Sequence, residues 1–137
     1  MKGQNAAEAV ARAWAWEAKA ARCADSHARA TDSWVPPVQE ELVRTAQASG
    51  LRRWCPSTSH NVLRLATGLP PWDPDGDDDC RELPGSVSFD RGGPGGSPVF
   101  HVWSGLLMRS PDPVLVLTTP DASVAVAALV ELLGEER

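Results

Sequence analysis

"RRWCPSTSHNVLRLA" occupies residues 52–66 and marks the point where the pattern of the chain changes. Upstream, "VQEELVRTAQASG" (38–50) places Val38, Leu42, Val43 and Ala46 at helical spacing, with Glu40 and Glu41 near the positive end of the helix dipole and Gly50 as a stop. Downstream, "NVLRLAT" (61–67) is short, β-rich and imperfectly alternating, so the spacing predicts a first strand there. Between them, Pro56 and the cluster Ser57, Thr58, Ser59 read as a tight turn, which makes residues 54–60 the corner where helix gives way to sheet.

The helical character extends back to the start of the chain. Residues 6–31 are dense in Ala, Arg and Glu and lack Gly and Pro, which predicts one long helix. Val10, Trp14, Ala18, Ala21 and the run from Cys23 to Ala28 form its loose apolar stripe, leaving Glu8, Arg12, Glu17, Lys19, Arg22 and Arg29 for water. Trp16 lies off that stripe and suits a second contact, with another element or with another copy of the chain, so a homodimer is one reading of it. "DSWVPP" (32–37) then breaks the helix.

Strand signals follow. "GLPPWDPDGDDDCRELPG" (68–85) reads as a long surface loop, "SVSFD" (86–90) as an alternating strand, and "RGGPGGSP" (91–98) as a flexible connection. "VFHVWSG" and "LLMRS" are strand candidates divided by Gly105, which also suits a bulge within one strand. "VLVLTT" (114–119) is continuously apolar, the pattern of a strand covered on both faces. "PDASVAVAALVELLGEE" is a final helix capped by Thr119 or Asp121, with Val124, Ala128, Leu129 and Leu132 as its stripe and Gly134 as its end. Two helices, about four strands and one helix predict an α+β fold, an antiparallel meander with helices packed on one face. A chain of 137 residues suits one domain, with residues 1–35 as a helical extension and 38–133 as the core.

A net charge of -5 argues against a general nucleic-acid or anionic-membrane binder. Glu8 and Arg12 interrupt any signal-peptide core, no apolar run reaches membrane-span length, and three cysteines do not make a secreted disulfide framework, so a cytoplasmic location is expected. The acidic loop "WDPDGDDDC" (72–80) fails the calcium-loop pattern, with glycine at its fourth position and Pro84 at its twelfth. "RGGPGGSP" lacks the ending of a phosphate loop. Cys23 and His27, with Cys55 and His60, supply ligand types that zinc accepts, but neither spacing is a knuckle and Cys23 suits a small core residue. No metal or cofactor is therefore expected.

Candidate chemistry concentrates in the opening stretch. His60 can act as acid or base, with Cys55 or a nearby serine such as Ser59 assisting. A direct Ser59–His60 dyad is disfavoured, because neighbours in extended backbone face opposite ways. The plainer reading is that the serines satisfy backbone groups in a turn and the imidazole fixes it. Trp54, Arg52, Arg64 and Trp72 are the candidate binding residues, and Arg52, Arg53 and Arg64 can form a small anion-binding spot unless they belong to a mixed surface.

Leu51, Arg52, Trp54, Pro56, Ser59, His60, Leu63, Pro71 and Trp72, with the final "TTPDASVAVAALVELL", together resemble a family of actinobacterial natural product biosynthesis proteins of unknown molecular function. The likeness covers residues 38–72 and 114–133, while Asp121 and Ser123 replace the family's usual acids in the last helix. It implies a role in secondary metabolism and draws attention to His60. The expected function is an accessory protein that binds a pathway enzyme, a precursor peptide or a small-molecule intermediate. The alternative is a small enzyme of the same pathway using His60.

Overall fold

The computed structural model describes residues 2–31, 40–59, 61–74, 76, 78–90, 98–106 and 112–134, the side chains of 2–6, 24–31 and 59 excepted. Helix α1 spans Lys2–Thr31, α2 Glu40–Gln47 and α3 Ala122–Leu133, and a 3-10 turn, η1, covers Gly50–Arg53. Five strands follow one another in space as in sequence: β1 Cys55–Ser59, β2 Val62–Ala66, β3 Glu82–Asp90, β4 Val99–Ser104 and β5 Val114–Thr119. Every neighbouring pair is antiparallel. The fold is α+β, with five strands where the sequence predicts about four.

The additional strand is β1, in the segment read as a turn. Cys55 pairs with Ala66 and Ser59 with Val62, so "CPSTS" and "VLRLA" form a hairpin. Pro56 cannot donate to a ladder, and β1 is accordingly an edge strand. Asn61 ties the end of this hairpin to β3: its side-chain amide donates to the Phe89 carbonyl, and its own carbonyl accepts from the Phe89 N–H at 2.9 Å.

Alternation along the strands divides the sheet into two faces. Leu63, Leu65, Val87, Phe89, Phe100 and Val102 share one core with Trp14, Ala18 and Ala21 of α1, Leu42, Val43 and Ala46 of α2, and Ala125, Val126, Leu129 and Leu133 of α3. Helix α1 is thus part of the core and not an extension appended to it. The reverse face carries Arg64, Ser86, Ser88, His101, Trp103 and Thr118. Trp103 donates its indole N–H to Ser88 Oγ at 2.9 Å, and His101 Nδ1 lies 2.8 Å from Thr118 Oγ1.

Several sequence expectations change on the folded chain. Glu17 faces the sheet and is only 8% exposed, whereas Cys23 is exposed. Helix α3 turns Ala122, Ala125, Val126, Leu129 and Leu133 inward and leaves Val124 exposed, so its stripe is rotated from the expected one. Asp121 caps the helix by accepting from the Ser123 N–H at 2.8 Å. Strand β5 is not covered on both faces: it is the other sheet edge, and Val114, Leu115 and Val116 are exposed. Its register shifts between Val102 and Trp103, whose partners are Leu117 and Leu115. The loop after β2 is shorter than expected because residues 82–85 join β3. Gly105, at φ 113, follows the end of β4, a backbone conformation that L side chains rarely adopt. The rest of the "LLMRS" segment beyond Leu106, the glycine-rich connection 91–97 and Val38 lie outside the described residues.

Candidate functional site

Helix α2 does not stop at Gly50. It ends at Gln47, and Ser49 starts η1 by accepting from the Leu51 N–H at 3.1 Å while its hydroxyl donates to the Ala46 carbonyl at 2.6 Å. The turn closes with the Trp54 N–H on the Leu51 carbonyl at 2.9 Å. Helix α1 then fixes the turn from outside. The buried indole of Trp14 donates to the Trp54 carbonyl at 2.9 Å and the Arg52 carbonyl at 3.2 Å, on either side of Arg53. Two carbonyls facing away from the ladder are satisfied by one N–H from another element, which holds the local backbone in a single shape.

Beside this turn lies a cleft of about 340 Å³, lined by Gly50, Leu51, Arg52, Arg53, Trp54, Val130 and Leu133. One wall is η1 and the other is the last turn of α3. The two walls meet at ordinary packing distance, since a Cβ built at Gly50 would lie 3.8 Å from Val130 Cγ1. Arg52 and Arg53 are exposed, and the Arg53 guanidinium sits 4.8 Å from the Trp54 ring centroid. The cleft therefore combines hydrocarbon and aromatic surface with two permanent cations.

Of the residues singled out for binding, Arg52 and Trp54 meet here. Arg64 does not join them: it lies on the reverse face of the sheet and pairs with Glu82 at 3.1 Å. Its Nε is buried without a hydrogen-bond partner, as is the Ser86 hydroxyl opposite it on β3. Trp72 is 85% exposed in the loop after β2 and does not line the cleft. Arg53, expected only as part of a small anion-binding spot with Arg52 and Arg64, also lines the cleft, whereas Gly50, Leu51, Val130 and Leu133 were not among the expected binding residues. Arg53 was detectable as part of the basic run, but nothing local to α3 marks Val130 and Leu133 as the opposing wall.

The candidate catalytic set is placed only in part. His60 and the Ser59 side chain lie outside the described residues, as does the His27 side chain. Cys55 is buried on β1, and its thiol is pushed up to about 11 by burial first, then by Cys80, Asp73 and Glu17. An environment of this kind holds the thiol neutral near pH 7, the opposite of what nucleophilic use requires. Sequence reasoning also missed Glu17. Thr58 donates to its carboxylate at 2.8 Å, but burial outweighs that bond and raises its pKa above the usual value of 4.5.

Among the described residues, no group of three or more His, Cys, Asp or Glu is arranged to hold a metal ion. No described helix is long and apolar enough to cross a membrane. Comparison of the chain with known protein families, with curated proteins and with solved structures finds no match.

Proposed function

We propose that this protein is an accessory binding protein of a bacterial secondary-metabolite pathway, and that it holds a small-molecule intermediate in the cleft between η1 and α3. The pathway setting rests on the sequence resemblance alone. The binding role rests on one observation: a concave site whose η1 wall is fixed in advance by the Trp14 indole. A site ordered before its ligand arrives loses less conformational freedom on binding. Within the enzyme alternative, the environment of Cys55 keeps that thiol protonated and so favours a nearby serine over Cys55 as the partner of His60.

The test is retention of pathway intermediates. The protein is incubated with an extract of the producing cells, recovered, and its bound small molecules are identified by mass spectrometry beside a Val130→Trp variant that fills the cleft. A molecule held by the wild type and lost from the variant supports the proposal. Equal retention by both, or retention by neither, refutes it. His60→Ala tests the alternative: a folded variant that blocks product formation while still retaining the intermediate moves the assignment to an enzyme.

A further inference from the structure

The composition of the cleft narrows the ligand class. Its side chains include no carboxylate and no amide. Its charged groups are Arg52 and Arg53, neither of which has an ion-pair partner among the described residues. Leu51, Val130, Leu133 and the Trp54 ring supply the remainder of the lining. The side chains at the site therefore offer two guanidiniums, the buried and unpartnered indole N–H of Trp54, and hydrocarbon, with no side-chain acceptor to receive a ligand's donors.

An opposing field must be weighed. Val130 and Leu133 belong to the last turn of α3, where the helix dipole places about half a negative charge. Glu131 is exposed on the same turn. Together these amount to roughly one and a half negative charges, against two guanidiniums that line the cleft itself while Glu131 does not. The charged side chains that line the cleft itself are both cationic. Guanidinium also presents a planar fork that matches the paired oxygens of a carboxylate or phosphate, which an ammonium does not.

We infer that the cleft binds a small anionic amphiphile: a carboxylate or phosphate held by Arg52 and Arg53, with a short apolar body lying against Leu51, Trp54, Val130 and Leu133. The volume of about 340 Å³ is near the lower end for small-molecule sites and limits the length of that body. This inference rests on the binding role proposed above and names the chemistry of the ligand.

The experiment titrates the full chain with octanoate, octyl phosphate, octanol and octylammonium, each below its aggregation limit, with acetate as a headgroup control. Isothermal calorimetry gives affinity, and backbone amide shifts at residues 50–54 and 130–133 locate binding. At least one of octanoate and octyl phosphate binds at these amides ten times or more tightly than octanol or octylammonium, and acetate produces no shift there. The tighter of the two anions identifies the headgroup. Arg52→Gln with Arg53→Gln, confirmed as folded by circular dichroism, removes at least tenfold of the anion's affinity and leaves that of octanol unchanged. Octanol or octylammonium binding as tightly as the anions at the same amides overturns the anionic assignment while preserving the cleft as a binding site. Absence of shifts at these amides with all four amphiphiles overturns both.

Discussion

Trp14→Phe tests whether α1 fixes the binding turn or merely fills the core. The indole is almost fully buried, and its N–H is shared between the Trp54 carbonyl at 2.9 Å and the Arg52 carbonyl at 3.2 Å. Phenylalanine retains most of the apolar burial and removes the donor. One lost hydrogen bond, shared over two acceptors, is worth about 1 kcal/mol net. The smaller ring leaves space in a packed core, adding about 1 kcal/mol. The expected loss is therefore about 2 kcal/mol in equilibrium urea unfolding, with an unchanged denaturant slope. Hydrogen exchange supplies the local measurement. Protection of the Trp54 amide, which donates to the Leu51 carbonyl, falls further than that of the β3–β4 ladder. A variant losing less than about 0.5 kcal/mol, the range of surface changes, or losing protection equally at both places, refutes the pinning role.

Three other outcomes follow from the packing. Glu17→Gln changes the pH dependence of stability: the raised folded pKa means that the carboxyl's contribution is complete below its unfolded value and is lost as pH rises through the folded one. The variant therefore gains on the wild type in urea unfolding as pH rises from the ordinary carboxylate value of 4.5 through the raised folded one, and parallel profiles would contradict the assignment. Gly85→Ala destabilises by about 1–3 kcal/mol in the same assay, because its Cβ would meet Leu129 Cδ1 at 2.8 Å and Leu133 Cδ2 at 3.1 Å; a neutral result would mean that these leucine side chains give way without cost. Thiol labelling followed by mass spectrometry modifies exposed Cys23 before Cys55, whose thiolate fraction at pH 8 is on the order of 10⁻³ for a pKa of about 11. Equal labelling rates would show that β1 opens readily.

The fold was legible where local pattern and burial agree. Leu42, Val43 and Ala46 form the buried side of α2 as their spacing predicts, and Asp121 caps α3. Legibility failed where burial depends on neighbours distant in sequence. "VLVLTT" is apolar throughout, but no residue in it records that β5 has a partner on one side only. "CPSTS" has the composition of a turn, and it becomes a strand because β2 supplies the ladder and an edge tolerates Pro56. In α3 most positions are apolar or alanine, so periodicity could not choose between Val124 and Val126 for the inner face. Glu17 lies on the inner side of α1, where the Thr58 hydroxyl, far away in sequence, gives its carboxylate a partner.

The candidate site shows the same division, with a consequence for how binding and stability are linked. Arg52 and Trp54 were legible because one wall of the cleft is contiguous in sequence, whereas Val130 and Leu133 required the helix to be seen in place. Leu133 belongs to the core and also lines the cleft, and it lies close to Gly85 beneath α3. Trp14 likewise belongs to the core while holding the opposite wall. The cleft is thus built from the ends of the main hydrophobic core and has no independent scaffold. A ligand seated there stabilises the whole domain by the ratio of its free concentration to its dissociation constant, about 2.7 kcal/mol at a hundredfold excess over that constant. Gly85→Ala acts on the site by a separate route: its Cβ would press on Leu129 and Leu133, and because Leu133 lines the cleft, calorimetry is expected to show weaker binding with every charged group in the cleft unaltered.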